Sequence, residues 1–317
     1  MANWSEILNE IVATSTTPNK DFDGVRKKYL EKLFQLTGRN VIAIYSGWLQ
    51  KQGIRNPYFS INDALMPGLM AAVNKLDKSK GLDLILHTPG GEINATEQIV
   101  FYLRKAFKDD IRAIVPQLAM SAGTMIALST KEILMGLYSS LGPIDPQVSG
   151  AAAHAILEEF REIKATYART PKEAAAWVPI LNKYTPTLIG NCEKAITLAE
   201  SIVGTWLETN MFAGKKDRQL KARKVLNALG SHKKTLSHGR HINIEEARKL
   251  DLNVTELEKD KDLQDAVLSV HHSYVVTLSL TPAAAIIENQ IGMRFVNFVA
   301  MPQTPQFVLG PQPIQTG

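Results

Sequence analysis

The sequence predicts an α/β fold with a mainly parallel sheet. Three observations carry this: short apolar, β-branched runs at residues 41–45, 82–86, 111–115 and 133–137; helical stretches between them; and small, turn-forming residues where strand passes into helix. Strands that alternate with helices must pair in parallel through right-handed crossovers. The first run, followed by Ser46-Gly47, reads as a buried strand, and residues 61–76 have the spacing of an amphipathic helix with Ser60 or Asn62 as its N-cap. The second run ends in His87-Thr88-Pro89-Gly90-Gly91, after which residues 95–107 read as a helix. After the third strand, residues 122–129 begin a helix of small and apolar side chains that leads to the fourth.

Outside this centre, residues 4–36 read as helical with a polar break around 14–20, and residues 151–211 as helices interrupted by Pro171, Pro179 and Pro186. Residues 244–254 read as a short capped helix that leads into an extended stretch. The tail from Met301 holds four prolines and four glutamines and is expected to lack structure or to lie on a partner protein. The organisation that follows is a helical arm over 1–38, a central domain over 39–255 with a helical region at 151–235, and an extension over 256–317.

With 317 residues, 45% of them hydrophobic, the chain can bury a sizeable core. A balance of 36 basic against 31 acidic residues is too mild to call for a nucleic-acid partner. The densest basic run, from Lys215 to Lys234, has Leu220, Val225, Leu226 and Leu229 at helical intervals and no aromatic side chain to stack on bases, so it reads as an amphipathic helix with a solvated face. Cys192 is the single cysteine, which excludes an internal disulfide and fits a reducing, cytoplasmic setting. No secretory signal is visible, and the apolar stretch 113–128 is too short and too interrupted to span a membrane.

Two turns carry the chemistry. Thr88-Pro89-Gly90-Gly91 bares backbone N–H groups that no side chain shields, which suits an oxyanion hole. About thirty residues on, Ala119-Met120-Ser121-Ala122-Gly123 sets a serine at the start of a helix, where the next N–H can point at the same developing charge. Alone, the first is an ordinary turn and the second a tight packing step; together, on consecutive strand-to-helix turns, they resemble the Clp/crotonase superfamily. Within it the chain is most similar to the serine dehydrogenase proteinase family, through these two segments and Leu141-Gly142-Pro143-Ile144-Asp145-Pro146-Gln147.

The resemblance implies a Clp/crotonase fold of repeated ββα-type units with a helical insertion. It implies a serine peptidase with Ser121 as nucleophile and the amides of Gly90, Gly91 and Ala122 as oxyanion donors. No cofactor is called for. Peptide or unfolded protein is the implied substrate, and a homo-oligomer the implied assembly.

The general base departs from the family pattern. Clp proteases take a histidine from the segment where this chain has Asp145, and their third residue falls near Thr235. A Ser-Lys dyad, as in the related signal peptide peptidase A, is the other solution, because burial lowers a lysine pKa towards neutrality. Lys172, 51 residues after Ser121, is the first candidate, with Lys164, Lys183 and Lys194 nearby and His154 as a second choice. Asp145 is expected to orient a base or to act in acid/base chemistry itself. His232, His238 and His241 do not form a metal set, since no cysteine or carboxylate in the sequence completes one. Two other functions use the same fold: an acyl-CoA hydratase or hydrolase with Asp145 as its carboxylate, and a scaffold without activity.

Overall fold

The structure is a computed structural model that describes residues 3–14, 20–170, 172 and 175–299. Helices α1 (Trp4–Thr14) and α2 (Phe22–Thr37) precede β1 (Asn40–Ser46). Helix α3 (Met66–Val73) leads to β2 (Leu82–His87), α4 (Ile93–Phe107) to β3 (Ile111–Val115) and the short β4 (Leu118–Ala119), and α5 (Ala122–Leu128) to β5 (Glu132–Met135). Three two-residue strands follow: β6 (Ser140–Leu141), β7 (Gln147–Val148) and β8 (Ala151–Ala152). The helical region comprises α6 (Ala153–Arg169), α7 (Val178–Leu181), α8 (Leu188–Thr209), α9 (Arg218–Leu229) and α10 (His232–Thr235). After α11 (Ile244–Lys249) come β9 (Val254–Glu256), α12 (Lys261–Leu280), β10 (Ala283–Asn289) and β11 (Arg294–Phe298).

The main sheet has the order β11-β10-β1-β2-β3-β5-β9. From β1 to β9 the strands pair in parallel, whereas β10 runs antiparallel to β1 and β11 to β10. Every residue of β1 and β2 is buried, which is why these strands are near-continuous apolar runs. Alternate residues go to opposite layers. Ile42 and Ile44 join the core beneath α3, α4, α5, α8 and α9, while Val41, Ala43 and Tyr45 join the core beneath α1, α2 and α12.

Differences from the sequence reading have local causes. The helix expected from residue 61 begins at Met66, after a 3-10 turn capped by Asn62. Ile61 is committed elsewhere: its amide donates to the Gly90 carbonyl at 2.7 Å and its carbonyl accepts from the Glu92 amide at 2.9 Å. Strand β5 stops at Met135 because Gly136 and Ser139 close a turn, with the Gly136 amide donating to Ser139 Oγ at 2.9 Å. The helical region starts with the β7–β8 hairpin, whose turn places Ser149 and Gly150 at positive φ. Helix α11 has the expected cap, in which Asn243 and Glu246 bond reciprocally as a capping box. Helix α9 buries Ala222, Val225 and Leu229 and turns Arg218, Arg223 and Lys224 outward. The proline- and glutamine-rich tail lies outside the described residues.

The stretch set apart as an extension from residue 256 supplies α12 and two strands of the main sheet. A buried ion pair ties it to the N-terminal arm: Arg26 Nε donates to Glu288 Oε2 at 2.7 Å, and Tyr274 donates its hydroxyl to the same oxygen at 3.1 Å. Both charged side chains are 1% exposed. Burial pushes the Glu288 carboxyl above its usual range against the opposing pull of Arg26. Removing one partner leaves a buried charge uncompensated, so Arg26→Met is expected to cost about 3–5 kcal/mol. Adding Glu288→Gln should recover a large part of that loss. Urea denaturation of wild type, single and double variants checks this, and a double variant no more stable than Arg26→Met would count against the pairing.

Candidate active site

The two glycine- and serine-containing turns lie side by side at the carboxyl ends of β2 and β4. Thr88 bonds across: its amide donates to the Leu118 carbonyl, and its carbonyl accepts from the Met120 amide, both at 3.0 Å. Gly90 has φ +104, and a Cβ there would stand 2.6 Å from Ser121 Cβ and 2.8 Å from the Met120 carbonyl oxygen. Glycine is therefore required twice, for backbone conformation and for space. Ser121 occupies φ 50 and ψ −115, an uncommon region for a residue with a side chain. Backbone held in such a region costs about 1–3 kcal/mol and persists only where the surroundings impose it.

The amides of the turn differ in their commitments. The Gly90 amide donates to Thr88 Oγ1 at 3.1 Å. The bridge to Ile61 uses the Gly90 carbonyl and the Glu92 amide, so the amide of Gly91 between them points the other way. Ala122 is the first residue of α5, where an N–H has no partner within the helix.

Ser121 lines a cavity of about 490 Å³. Gly91, Met125, Ile144 and Asp145 form other parts of its wall, and Ala195 and Ala199 of α8 close it from the helical region. A larger groove, about 700 Å³, runs between α4 and α8 past Phe101 and Trp206, but Ser121 does not line it. The smaller cavity is the one with a reactive group.

Asp145 is fully buried, with its side chain 0% exposed. Its segment is pinned from two sides. Ile144 donates its amide to the Leu229 carbonyl at 2.9 Å, and Gly142 donates to Thr124 Oγ1 on α5 at 2.8 Å. Three donors surround the carboxylate: His238 Nδ1 at 2.8 Å, His232 Nδ1 at 3.3 Å and Gln147 Nε2 at 3.0 Å. A carboxylate only accepts, so both rings carry hydrogen on Nδ1.

A model of the ClpP-like SDH-type serine proteinases matches residues 24–263. The chain belongs to that family. Two uncharacterized proteins of Methanocaldococcus jannaschii are similar to parts of this chain. One is 33% identical over 186 residues, which are 59% of this chain and 57% of that relative. The other is 40% identical over 92 residues, 29% of this chain and 31% of that relative. The chain thus spans less than two thirds of either. Among solved structures, a ClpP1 variant from Listeria monocytogenes aligns with a TM-score of 0.39 at 15% identity, over 73% of this chain and 99% of that one.

The fold brings Ser121 and Asp145 to one cavity and leaves Lys172 and His154 outside its wall. Lys172 is exposed, as are Lys164, Lys183 and Lys194, so the desolvation that would make a lysine a base is absent at all four. His154 sits half-buried at the start of α6. His232 and His238, considered in the sequence only for a metal set, are the imidazoles that reach Asp145. The available signal is positional: the family's third residue falls near Thr235, between them. Cys192 packs in the small core between α6 and α8, where burial pushes its thiol pKa up. Among the described residues no cluster of three or more His, Cys, Asp or Glu side chains could hold a metal ion. No helix among them is long and apolar enough to cross a membrane.

Behind the Gly90 turn lies His87, the last residue of β2. Its ring stands 4.5 Å from Trp48, 5.2 Å from His271 and 5.4 Å from Tyr45, measured between centroids, and neither ring nitrogen has a partner. Burial pushes its pKa down to about 3. The folded protein thus refuses a proton that the unfolded chain accepts below about 6.5, and stability falls as pH drops through the window from 6.5 towards 3. From pH 7 to pH 5 the wild type should lose about 2 kcal/mol more than His87→Leu. Urea midpoints at the two pH values check this, and parallel pH dependences would show that His87 is not the group responsible.

Proposed function

We propose that this protein cleaves peptide bonds through an acyl-enzyme on Ser121, with the amides of Gly91 and Ala122 stabilising the oxyanion. The observation that carries this reading is the contact between Gly90 and Ser121, which holds a serine in strained backbone beside an outward-facing amide. Attack of Oγ on a carbonyl carbon moves charge onto the carbonyl oxygen, and donors already in place stabilise that charge without reorganisation. The Gly90 amide, satisfied by Thr88, serves the turn and not the oxyanion. Membership of a ClpP-like family supports self-association into a chamber that admits unfolded or short chains.

Incubation with a fluorophosphonate, read by intact mass, tests the reading. Wild type should gain one adduct and Ser121→Ala none. A coenzyme A thioester hydratase or an inactive scaffold would leave both proteins unlabelled, and the former would bind coenzyme A. Gly90→Ala should slow labelling about 100-fold by displacing Ser121, since a misplacement of about 1 Å can cost that much. Labelling at the wild-type rate in Gly90→Ala would show that the close approach is not needed for reactivity.

A further inference from the structure

We propose that the groove between α4 and α8 continues the Ser121 cavity as a binding site for the extended peptide substrate, and that Arg104 at its far end takes a carboxylate of that peptide. This rests on the Ser121 reading and extends it along the substrate chain. Asn94, near the start of α4, lines both the cavity and the groove. On both helices the cavity residues come first and the groove residues later: Asn94 precedes Phe101 and Arg104 on α4, and Ala199 precedes Trp206 and Thr209 on α8. The two walls therefore lead away from Ser121 together. Arg104 lies ten residues beyond Asn94, and Thr209 ten beyond Ala199, a helical rise of about 15 Å on each wall. The far ends meet, because Arg104 Nη1 donates to Thr209 Oγ1 at 3.2 Å and Nη2 to the Trp206 carbonyl at 3.3 Å.

The far end suits an anion. A guanidinium carries five N–H donors, and these two bonds leave the others over. Among those left is the buried Nε–H, which has no partner. Burial holds the Arg104 guanidinium below its ordinary pKa against the pull of Asp109, so desolvation outweighs the carboxylate that acts on it. Already tied to α8, the arginine loses little freedom when a substrate carboxylate arrives. Nearer the cavity, Phe101 is 55% exposed on α4 and Trp206 lines the same groove from α8, which gives an apolar side chain a surface to cover. An extended peptide rises about 3.3 Å per residue, so about 15 Å corresponds to about four or five residues between the side chain held in the cavity and the carboxylate held by Arg104.

Binding to the Ser121→Ala protein tests the groove without calling on the nucleophile. Fluorescein-labelled peptides of alanine and serine carry one leucine, for the apolar cavity walls of Met125 and Ile144, and one glutamate at increasing distance from it on either side. Fluorescence anisotropy should show the tightest binding at a separation of about four or five residues, about 10-fold tighter than with glutamine in place of glutamate. Adding Arg104→Gln should abolish that advantage, and Arg104→Lys should keep part of it. Phe101→Glu, at an exposed position, should reverse the preference by repulsion whether or not the Arg104 variants fold. A peptide that ends at the same position as a free acid, compared with its amide, tells a chain end from a side chain, and a gain from either supports the site. No carboxylate effect at any separation, or one that survives Arg104→Gln, overturns the proposal. So does an optimum at about one or two residues, which would seat the leucine on Phe101 and part the groove from the cavity. Fluorophosphonate labelling of wild type decides the nucleophile separately: labelling without a carboxylate effect leaves Ser121 standing and the groove refuted, and the reverse leaves a peptide groove without the chemistry.

Discussion

The candidate site depends on a close approach of two backbone turns. Gly90 lies so near Ser121 that no side chain fits between them, and Thr88 bonds the two turns into register. The strained conformation of Ser121 is stable because both of its neighbours are committed: Met120 to Thr88, and Ala122 to the first turn of a buried helix. Ile61 completes the arrangement from the other side by taking the Gly90 carbonyl and the Glu92 amide. What remains unengaged is the Gly91 amide, so the outward donor is a consequence of how its neighbours are satisfied.

The same economy explains why the helical region belongs to the site. Helix α8 contributes Ala195 and Ala199 to the cavity wall, and the end of α9 holds the Asp145 segment through Leu229. A buried carboxylate is tolerable only with donors around it. Two of those donors come from α10 and the turn after it, so the helices cannot be removed without stranding the acid. On the rear face of the sheet, His87 and His271 are held neutral by burial just behind the Gly90 turn. The Arg26–Glu288 pair joins α2 to β10 on that side.

Much of this is legible in the order of residues. Residues 111–115 form a strand with the bounds that their β-branched run predicts, and the Pro-Gly-Gly and Ser-Ala-Gly steps fall on adjacent strand-to-helix turns. Residues 256–299 are not legible as part of the sheet, because β10 pairs with β1 across more than two hundred residues and no local pattern records such a partner. Helix α3 starts late for a similar reason: the partner of Ile61 is Gly90, not its own next turn.

The sequence by itself determined the local chemistry: which turns need glycine, where a serine meets a helix start, and which runs are apolar enough to be interior strands. These follow from side-chain volume, backbone freedom and periodicity, all of which act over a few residues. Only the tertiary structure decided which ionisable groups share a space with the serine. Lys172, the lysine favoured by its spacing from Ser121, lies in solvent, whereas His238, more than twice as far along the chain, shares a hydrogen bond with a carboxylate of the cavity wall. Burial and hydrogen bonding depend on what packs from elsewhere in the chain, and spacing along it carries no record of that.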